Sequence, residues 1–399
     1  MKYDFDKRVD RAHGVGSYSM KWAEGERAAA MYGDKNATGL PEDRIPLFLA
    51  DMDFECAPEL KAALQKVVDH GIWGYSGAPD AYGEAVARWE KDRFGIEISP
   101  KNVRYYAGCH PAIVDAIKKL TKEGDGVIVP CPTYYYKNDI TSVGRHYTTF
   151  QMINNEGHYT FDWEKFEALC QDPQNTMAIF QQPHNPTGRC WTVEEIEKIG
   201  KICRENNVLM LSDDLHQDLK RKETVVTPFV KVLGNKGIIN ITGISKTFNA
   251  AGLAVANMYT EDDALNEKLG PVAVPFLSPF GIAACIACYT ECDAWVDALN
   301  EYLDKSIDHV VERLHKEMPK LTVCKPEATY ILWLDFTKYG LSNDEINARI
   351  GGQAHLALSD GAGMDTPKGT IFRRMCCTSP IAVMDEAIDR LVKAFADVQ

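Results

Sequence analysis

Residues 237–249 read Gly-Ile-Ile-Asn-Ile-Thr-Gly-Ile-Ser-Lys-Thr-Phe-Asn, a run of apolar β-branched residues that stops shortly before a single lysine. The run predicts a buried strand, and Lys246 follows its end. Burial at that place leaves the amine poorly solvated, so we expect its pKa to fall toward neutrality. Such an amine can form a Schiff base, although a lone lysine after a strand is more often an ordinary surface residue.

Two earlier stretches have the same form, an apolar strand followed by polar residues. The first spans residues 177–189 and carries Asn185, and the second spans residues 208–216 and carries Asp213. Ligands collect beyond the carboxyl ends of the strands in parallel α/β sheets, so we expect Asn185, Asp213 and Lys246 to face one crevice. A carboxylate there can hold the nitrogen of a bound pyridine ring protonated, and this predicts a pyridoxal phosphate site.

The order of these motifs resembles that of a known superfamily. Asn-Pro-Thr-Gly at 185–188, Asp-Asp-Leu-His at 213–216 and Ser-Lys-Thr-Phe-Asn at 245–249 are similar to the fold-type I aminotransferases, in particular the MalY/PatB-type cystathionine β-lyase branch. Ser-Met-Lys-Trp at 19–22, Ala-Asp-Met-Asp-Phe at 50–54 and Pro-Glu-Ala-Thr-Tyr at 326–330 point to the same branch. The resemblance runs from about residue 10 to the last helix.

The resemblance implies an α/β fold of the fold-type I class. We expect an N-terminal arm at 1–45 that packs with the small domain, and a large cofactor-binding domain at 46–285 with a mostly parallel seven-stranded sheet. A smaller α+β domain would occupy 286–399. The pattern itself agrees, since a capping box at Thr192–Glu195 opens an amphipathic helix that connects two predicted strands.

The resemblance also assigns the groups that would bind the cofactor. Lys246 would hold it and act as the base, and Asp213 would contact the ring nitrogen. The other cofactor contacts implied are Gly108, Cys109 and His110 at the phosphate, Tyr134 stacked on the ring, Asn185 and His216 at the ring oxygen, and Ser245 or Thr242 near the phosphate. Tyr135 and Tyr136 are expected in the core or at the rim.

The role of His110 is open between alternatives, and that of Tyr75 involves a second subunit. His110 departs from the small or aliphatic residues of most relatives, and it would contact phosphate or substrate, or cap the helix that follows. Tyr75 matches a family tyrosine that reaches the phosphate of the neighbouring subunit, which implies a homodimer with shared active sites. An arginine that many aminotransferases carry near the phosphate is replaced by Ala254.

For the substrate, the resemblance points to an amino acid. Arg374 would bind its α-carboxylate, with Arg373 as the fallback, because a guanidinium pairs with a carboxylate through two hydrogen bonds. Asp51 and Met52 would lie against the substrate and offer backbone groups. The family usually continues with an asparagine and a second arginine, where this chain has Cys376 and Ile381.

The branch implies a carbon–sulfur β-lyase acting on cystathionine or a related cysteine conjugate, with release of thiol, pyruvate and ammonia. The same residues would also serve an L-amino-acid aminotransferase or a racemase. A different class of function, a regulatory protein that keeps the cofactor and binds a protein partner, is the further alternative.

Composition limits the possible partners and the compartment. The 399 residues carry a net charge of −13, which disfavours nucleic acid because phosphate backbones need basic surface. Twelve cysteines without an apolar signal region indicate reduced thiols and a cytoplasmic protein. Cys285, Cys288 and Cys292 would share one helix face as packed thiols, so no metal site is expected.

One uncharged stretch, residues 269–290, is long enough to resemble a membrane span. Pro271, Pro275, Pro279 and Gly281 interrupt it, so we predict no membrane helix. We expect a buried active-site loop that continues into a core helix.

Overall fold

The computed structural model describes residues 3–11, 18–22, 43–234, 236–272 and 276–399. The predicted N-terminal arm, residues 1–45, lies largely outside these ranges. Within the arm, the described residues are 3–11, 18–22 and 43–45.

Numbered along the chain, the strands are β1 Ile45–Pro46, β2 Arg104–Tyr106, β3 Gly126–Cys131, β4 His146–Gln151, β5 Ile153–Asn155, β6 His158–Thr160, β7 Asn175–Gln181, β8 Leu209–Asp213, β9 Ile238–Thr242, β10 Ala256–Tyr259, β11 Thr322–Cys324, β12 Ile331–Asp335, β13 Leu356–Ala357, β14 Ser359–Asp360 and β15 Phe372–Cys376. The helices are α1 Pro58–His70, α2 Asp80–Phe94, α3 Cys109–Leu120, α4 Tyr136–Thr141, α5 Trp163–Gln171, α6 Val193–Glu205, α7 Phe229–Leu233, α8 Ile244–Thr247, α9 Asp263–Leu269, α10 Pro279–Glu291, α11 Asp293–Glu317, α12 Asn343–Asn347 and α13 Ile381–Ala394.

A seven-stranded sheet forms the centre of the molecule, in the order β2-β10-β9-β8-β7-β3-β4. β10 runs antiparallel to both of its neighbours, and the other pairs are parallel. Every residue of β3 and β9 is buried, as expected of parallel strands covered on both faces. The predicted α/β class with a mostly parallel seven-stranded sheet is therefore confirmed.

Helix starts follow their sequence signals. Thr192 and Glu195 form the expected capping box at the start of α6, and Ile196 and Ile199 on its apolar face are fully buried. Ser342 and Glu345 form a second capping box at α12. α6 connects β7 to β8, and this crossover places the ends of two parallel strands side by side.

The C-terminal part builds a second sheet, β11-β12-β15-β14, in which all neighbours are antiparallel. β1 pairs with β13, so the chain near residue 45 packs on this C-terminal part. The predicted divisions at 45/46 and 285/286 fall inside β1 and α10, and the division into domains stays a prediction.

The stretch 269–290 ends in the expected core helix, α10, in which Cys285 and Cys288 are fully buried, and Cys292 beyond it is buried too. The loop before it differs from the prediction: Phe276 is 59% exposed in the single chain, so the described part of this loop is not buried. Across the described ranges, no helix has both the length and the apolar character needed to cross a membrane.

Candidate active site

A cavity of about 180 Å³ lies beyond the carboxyl ends of β7, β8 and β9. Nine residues predicted for the cofactor site line it together: Gly108, Cys109, His110, Tyr134, Asn185, Asp213, His216, Ser245 and Lys246. The remaining lining residues are Gln181, Leu215, Ala251, Ala254 and Val255. The amine of Lys246, the carboxyl of Asp213 and the amide of Asn185 thus lie in one cavity, as the strand-end argument predicts.

Lys246 lies in α8, a four-residue helix that follows β9 after Gly243. Gly243 is required by close packing, because a β-carbon there would stand 2.9 Å from the carbonyl oxygen of Val255. The Lys246 Nζ donates a hydrogen bond of 3.0 Å to the carbonyl oxygen of Ala50. Burial lowers the pKa of Lys246, and the positive charge of Arg374 lowers it further.

Asp213 is the last residue of β8 and is 8% exposed. Its Oδ2 accepts a 2.5 Å hydrogen bond from the Tyr136 hydroxyl, and its Oδ1 accepts a 3.3 Å bond from the backbone N–H of Leu215. Burial raises the pKa of Asp213, and these hydrogen bonds act in the opposite direction. The site therefore contains a carboxyl group held by neutral donors.

Arg374 and Arg373 point to opposite faces of β15, as successive residues of a strand do. Arg374 Nη1 donates to Asn185 Oδ1 at 3.3 Å and its Nη2 donates to the Phe48 carbonyl at 3.0 Å. Arg373 instead bonds Asp360, with 3.1 Å between Nη1 and Oδ1, and also Asn343 and Asn347. Arg374 is thus the arginine next to the cavity, and Arg373 is a structural residue.

Two buried polar atoms of the site have no hydrogen-bond partner among the described residues, the Nδ1 of His216 and the Nε of Arg374. Burial keeps the pKa of His216 well below its ordinary value, so the imidazole is neutral. Gly108, with φ of 114°, precedes α3, whose start has no side-chain cap among the described residues. Free N–H groups at a helix start and unpaired donors fit an anionic ligand.

His110 forms a pair with Asp139, with 2.6 Å between Nδ1 and Oδ2. This hydrogen bond raises the pKa of His110. The imidazole ring lies 5.7 Å from the Tyr134 ring. Among the described residues, the side-chain hydrogen bond of His110 is this pair with Asp139, and its role at the phosphate, the substrate or the helix start stays a prediction.

Four predicted site residues lie outside the cavity lining: Tyr75, Asp51, Met52 and Arg374. Tyr75 is 90% exposed, with its ring 4.7 Å from that of Phe276. The carboxylate of Asp51 pairs with Arg11 at 2.8 Å.

The backbone groups of Met52, which we expected to contact the substrate, already have hydrogen-bond partners in this structure. The Met52 N–H donates to Asn249 Oδ1 at 2.8 Å, and the Met52 carbonyl accepts from Asn249 Nδ2 at 2.8 Å. The carbonyl of Ala50 faces Lys246 instead. Of the two hydroxyls considered for the phosphate, Ser245 lines the cavity and Thr242 does not.

Sequence reasoning missed Gln181 and the contact made by Tyr136. Gln181 is the last residue of β7, so the strand-end argument that found Asp213 could have included it. Tyr136 is buried, as expected, but its hydroxyl bond to Asp213 joins residues that lie 77 positions apart in the chain. No local pattern carries that information.

Comparison with known proteins gives consistent matches over nearly the whole chain. Residues 43–391 match the family described as aminotransferase class I and II. Cystathionine beta-lyase PatB of Bacillus subtilis (strain 168) is 31% identical over 98% of this chain and all of that protein. Cystalysin of Treponema denticola, solved with a pyridoxal 5′-phosphate cofactor, is 30% identical with a TM-score of 0.91 over the full length of both chains. The C–S lyase of Staphylococcus hominis, bound to pyridoxal phosphate, is 26% identical with a TM-score of 0.89 over 98% of each chain.

Proposed function

Because this chain belongs to the class I and II aminotransferase family, we propose that it is a pyridoxal 5′-phosphate-dependent carbon–sulfur β-lyase. Its substrate would be cystathionine or a related cysteine conjugate, and its products a thiol, pyruvate and ammonia. The observation that carries the proposal is the single cavity that Lys246, Asp213 and Asn185 share. Similarity to PatB, cystalysin and a C–S lyase supports elimination as the reaction.

Within one chain, the lining residues would supply contacts to the aldehyde carbon, the ring and the phosphate of the cofactor. Lys246 would hold its aldehyde carbon and Asp213 its ring nitrogen, while Tyr134 would stack on the ring. The phosphate would bind at the start of α3 and at Ser245. When bound, the cofactor supplies a pyridinium ring that accepts electron density from the substrate Cα.

The chain's own residues account for substrate binding and proton transfer. Arg374 would bind the α-carboxylate, because its guanidinium lies beside the cavity and bonds the lining residue Asn185. Lys246 would take the proton from the substrate Cα onto Nζ, since its lowered pKa favours a neutral amine that can accept one. A thiolate then leaves from Cβ.

Amino transfer is the second candidate, and the family match itself favours it. The two reactions differ in their requirement for an acceptor. Purified protein incubated with cystathionine alone is expected to release pyruvate continuously, measured with lactate dehydrogenase. Cystathionine that is consumed only when a 2-oxo acid is added, with the acceptor converted into its amino acid and no thiol released, would overturn the lyase proposal in favour of amino transfer.

We also infer a homodimer with shared sites, working in the cytoplasm. Ile72, Trp73, Tyr75 and Phe276 are exposed large hydrophobic residues on neighbouring loops, and such a patch favours a protein contact. A second copy that covers this patch would bring Tyr75 to the neighbouring cavity. All twelve cysteines are free thiols, which supports a reducing compartment.

A further inference from the structure

Two neutral donors converge on one oxygen of the buried carboxyl at the end of β8. Tyr136 Oη donates to Asp213 Oδ2 at 2.5 Å, and Cys109 Sγ donates to the same atom at 3.7 Å. The tyrosine side chain is 1% exposed. In the described part of the chain no lysine or arginine forms an ion pair with Asp213, and the charge of His110 is a further influence that lowers the pKa of this carboxyl.

The fold explains how Tyr136 reaches this carboxyl. Tyr136 is the first residue of α4, which follows β3, and β7 separates β3 from β8 in the sheet. The phenol therefore extends past the end of β7 to reach the end of β8. Tyr134 lines the cavity two residues earlier, and the backbone N–H of Tyr136 donates to the Tyr134 carbonyl at 2.7 Å.

Both donors are protonated near neutral pH. Burial and the neighbouring carboxylate raise the pKa of Tyr136 and of Cys109 well above their ordinary values. Burial would favour a neutral Asp213, and the hydrogen bonds from Tyr136 and Cys109 oppose it. A neutral carboxyl would leave the ring nitrogen of the cofactor unprotonated and weaken its electron-accepting power.

We propose that Tyr136, assisted by Cys109, is a positioning residue that holds Asp213 as an oriented carboxylate for the ring nitrogen. The inference rests on the proposed function, because it needs a pyridine ring in the cavity. It adds a specific role to two residues: Tyr136 acts through Asp213, and Cys109 does so in addition to lying at the start of α3.

The test compares Tyr136→Phe with Tyr106→Phe. Tyr106 is the matched control because its hydroxyl donates to Asp115 Oδ2 at the same 2.5 Å, and neither residue lines the cavity. For Tyr136→Phe we expect the pyridoxal phosphate dissociation constant to rise and kcat to fall, each by roughly tenfold or more, as for loss of a hydrogen bond to a charged group. The KM for the amino acid should change little, and Tyr106→Phe should match the wild type. Equal behaviour of the two variants overturns the inference.

A double-mutant cycle separates action through Asp213 from a general loss of packing. In an Asp213→Asn background, Tyr136→Phe is expected to leave the cofactor dissociation constant unchanged, and a further tenfold loss would contradict the proposal. Should Tyr136→Phe fail to fold, Cys109→Ala is compared in the wild-type and Asp213→Asn backgrounds: a loss of cofactor affinity that requires Asp213 supports the inference, and no loss or an equal loss in both backgrounds contradicts it. A wild-type protein that binds no pyridoxal phosphate would instead refute the proposed function.

Discussion

At the scale of single residues, function depends on which side chains the fold turns toward the cavity. Adjacent arginines on β15 show the contrast. Arg373 is bonded to Asp360 and to two asparagines, none of which lines the cavity, whereas Arg374 bonds Asn185, which does. The same residue type therefore has a structural role at one position and a binding role at the next.

This contrast yields a paired prediction. Arg374→Lys should raise the KM for the amino-acid substrate ten- to a hundredfold, since a lysine cannot offer two parallel hydrogen bonds to a carboxylate. Arg373→Lys should lower the free energy of unfolding and leave KM near the wild-type value. Steady-state kinetics and urea unfolding of both variants measure this, and the opposite assignment of effects would contradict it.

The strand pattern alone identified the three residues at or just beyond strand ends, and the family resemblance identified the other lining residues that were predicted. Asn185, Asp213 and Lys246 each follow an apolar run, and parallel strands place their ends together by geometry alone. Tyr136 and the occupied backbone of Met52 could not be found in this way. Their contacts join distant parts of the chain, and only the packed structure decides them.

At the scale of elements, the stretch 50–54 is held from two sides. Lys21 Nζ bonds Asp53 Oδ2 at 2.9 Å and Thr378 Oγ1 at 3.2 Å, and Arg11 bonds Asp53 Oδ1 at 2.7 Å. On the other side, Asn249 bonds Met52, and Lys246 bonds Ala50. The N-terminal segment thus helps to fix the backbone that contacts the lysine.

Lys21→Met tests how much the ion pairs of Asp53 stabilise this stretch. Burial alone would raise the pKa of Asp53, but the charge of Lys21 and the Ser379 hydroxyl lower it overall. Removing Lys21 should cost about 3 kcal/mol in urea unfolding, near the lower end for a broken buried pair because Arg11 remains. The effect should shrink as the pH falls through the folded pKa of Asp53, where the protonated carboxyl no longer pairs.

The control for Lys21→Met is Lys7→Met, which removes an ion pair of 2.7 Å to Glu55 whose side chains are both about half exposed. Exposed pairs contribute little, so the unfolding midpoint should hardly move. Equal destabilisation by the two substitutions would show that the buried cluster has no special role.

Local elements were more predictable than their pairing. The capping boxes of α6 and α12 are encoded within four residues, and the structure has both. The two-residue strand β1 carries too little pattern, and its partner β13 lies more than 300 residues away. The short helix α8 around Lys246 was also not predicted, because four residues directly after an apolar run carry too little helical pattern.

At the scale of the whole molecule, the proposed dimer determines whether a single chain holds a complete site. Tyr75 is exposed and lies outside the cavity lining of its own chain. We expect Tyr75→Ala and Lys246→Ala to be inactive or nearly so when each is purified alone. Co-expression should give mixed dimers with one intact site, and activity should return. No recovery, in mixed dimers verified by affinity tags, would contradict shared sites.

The central claim is that Lys246 holds pyridoxal phosphate in the cavity it shares with Asp213 and Asn185. Borohydride reduction of the purified protein fixes the cofactor to the lysine that binds it, and mass spectrometry of the peptides identifies that lysine. We predict the added mass of the reduced cofactor on the peptide containing Lys246. Added mass on another lysine, or on none in a protein supplied with the cofactor, would contradict the account.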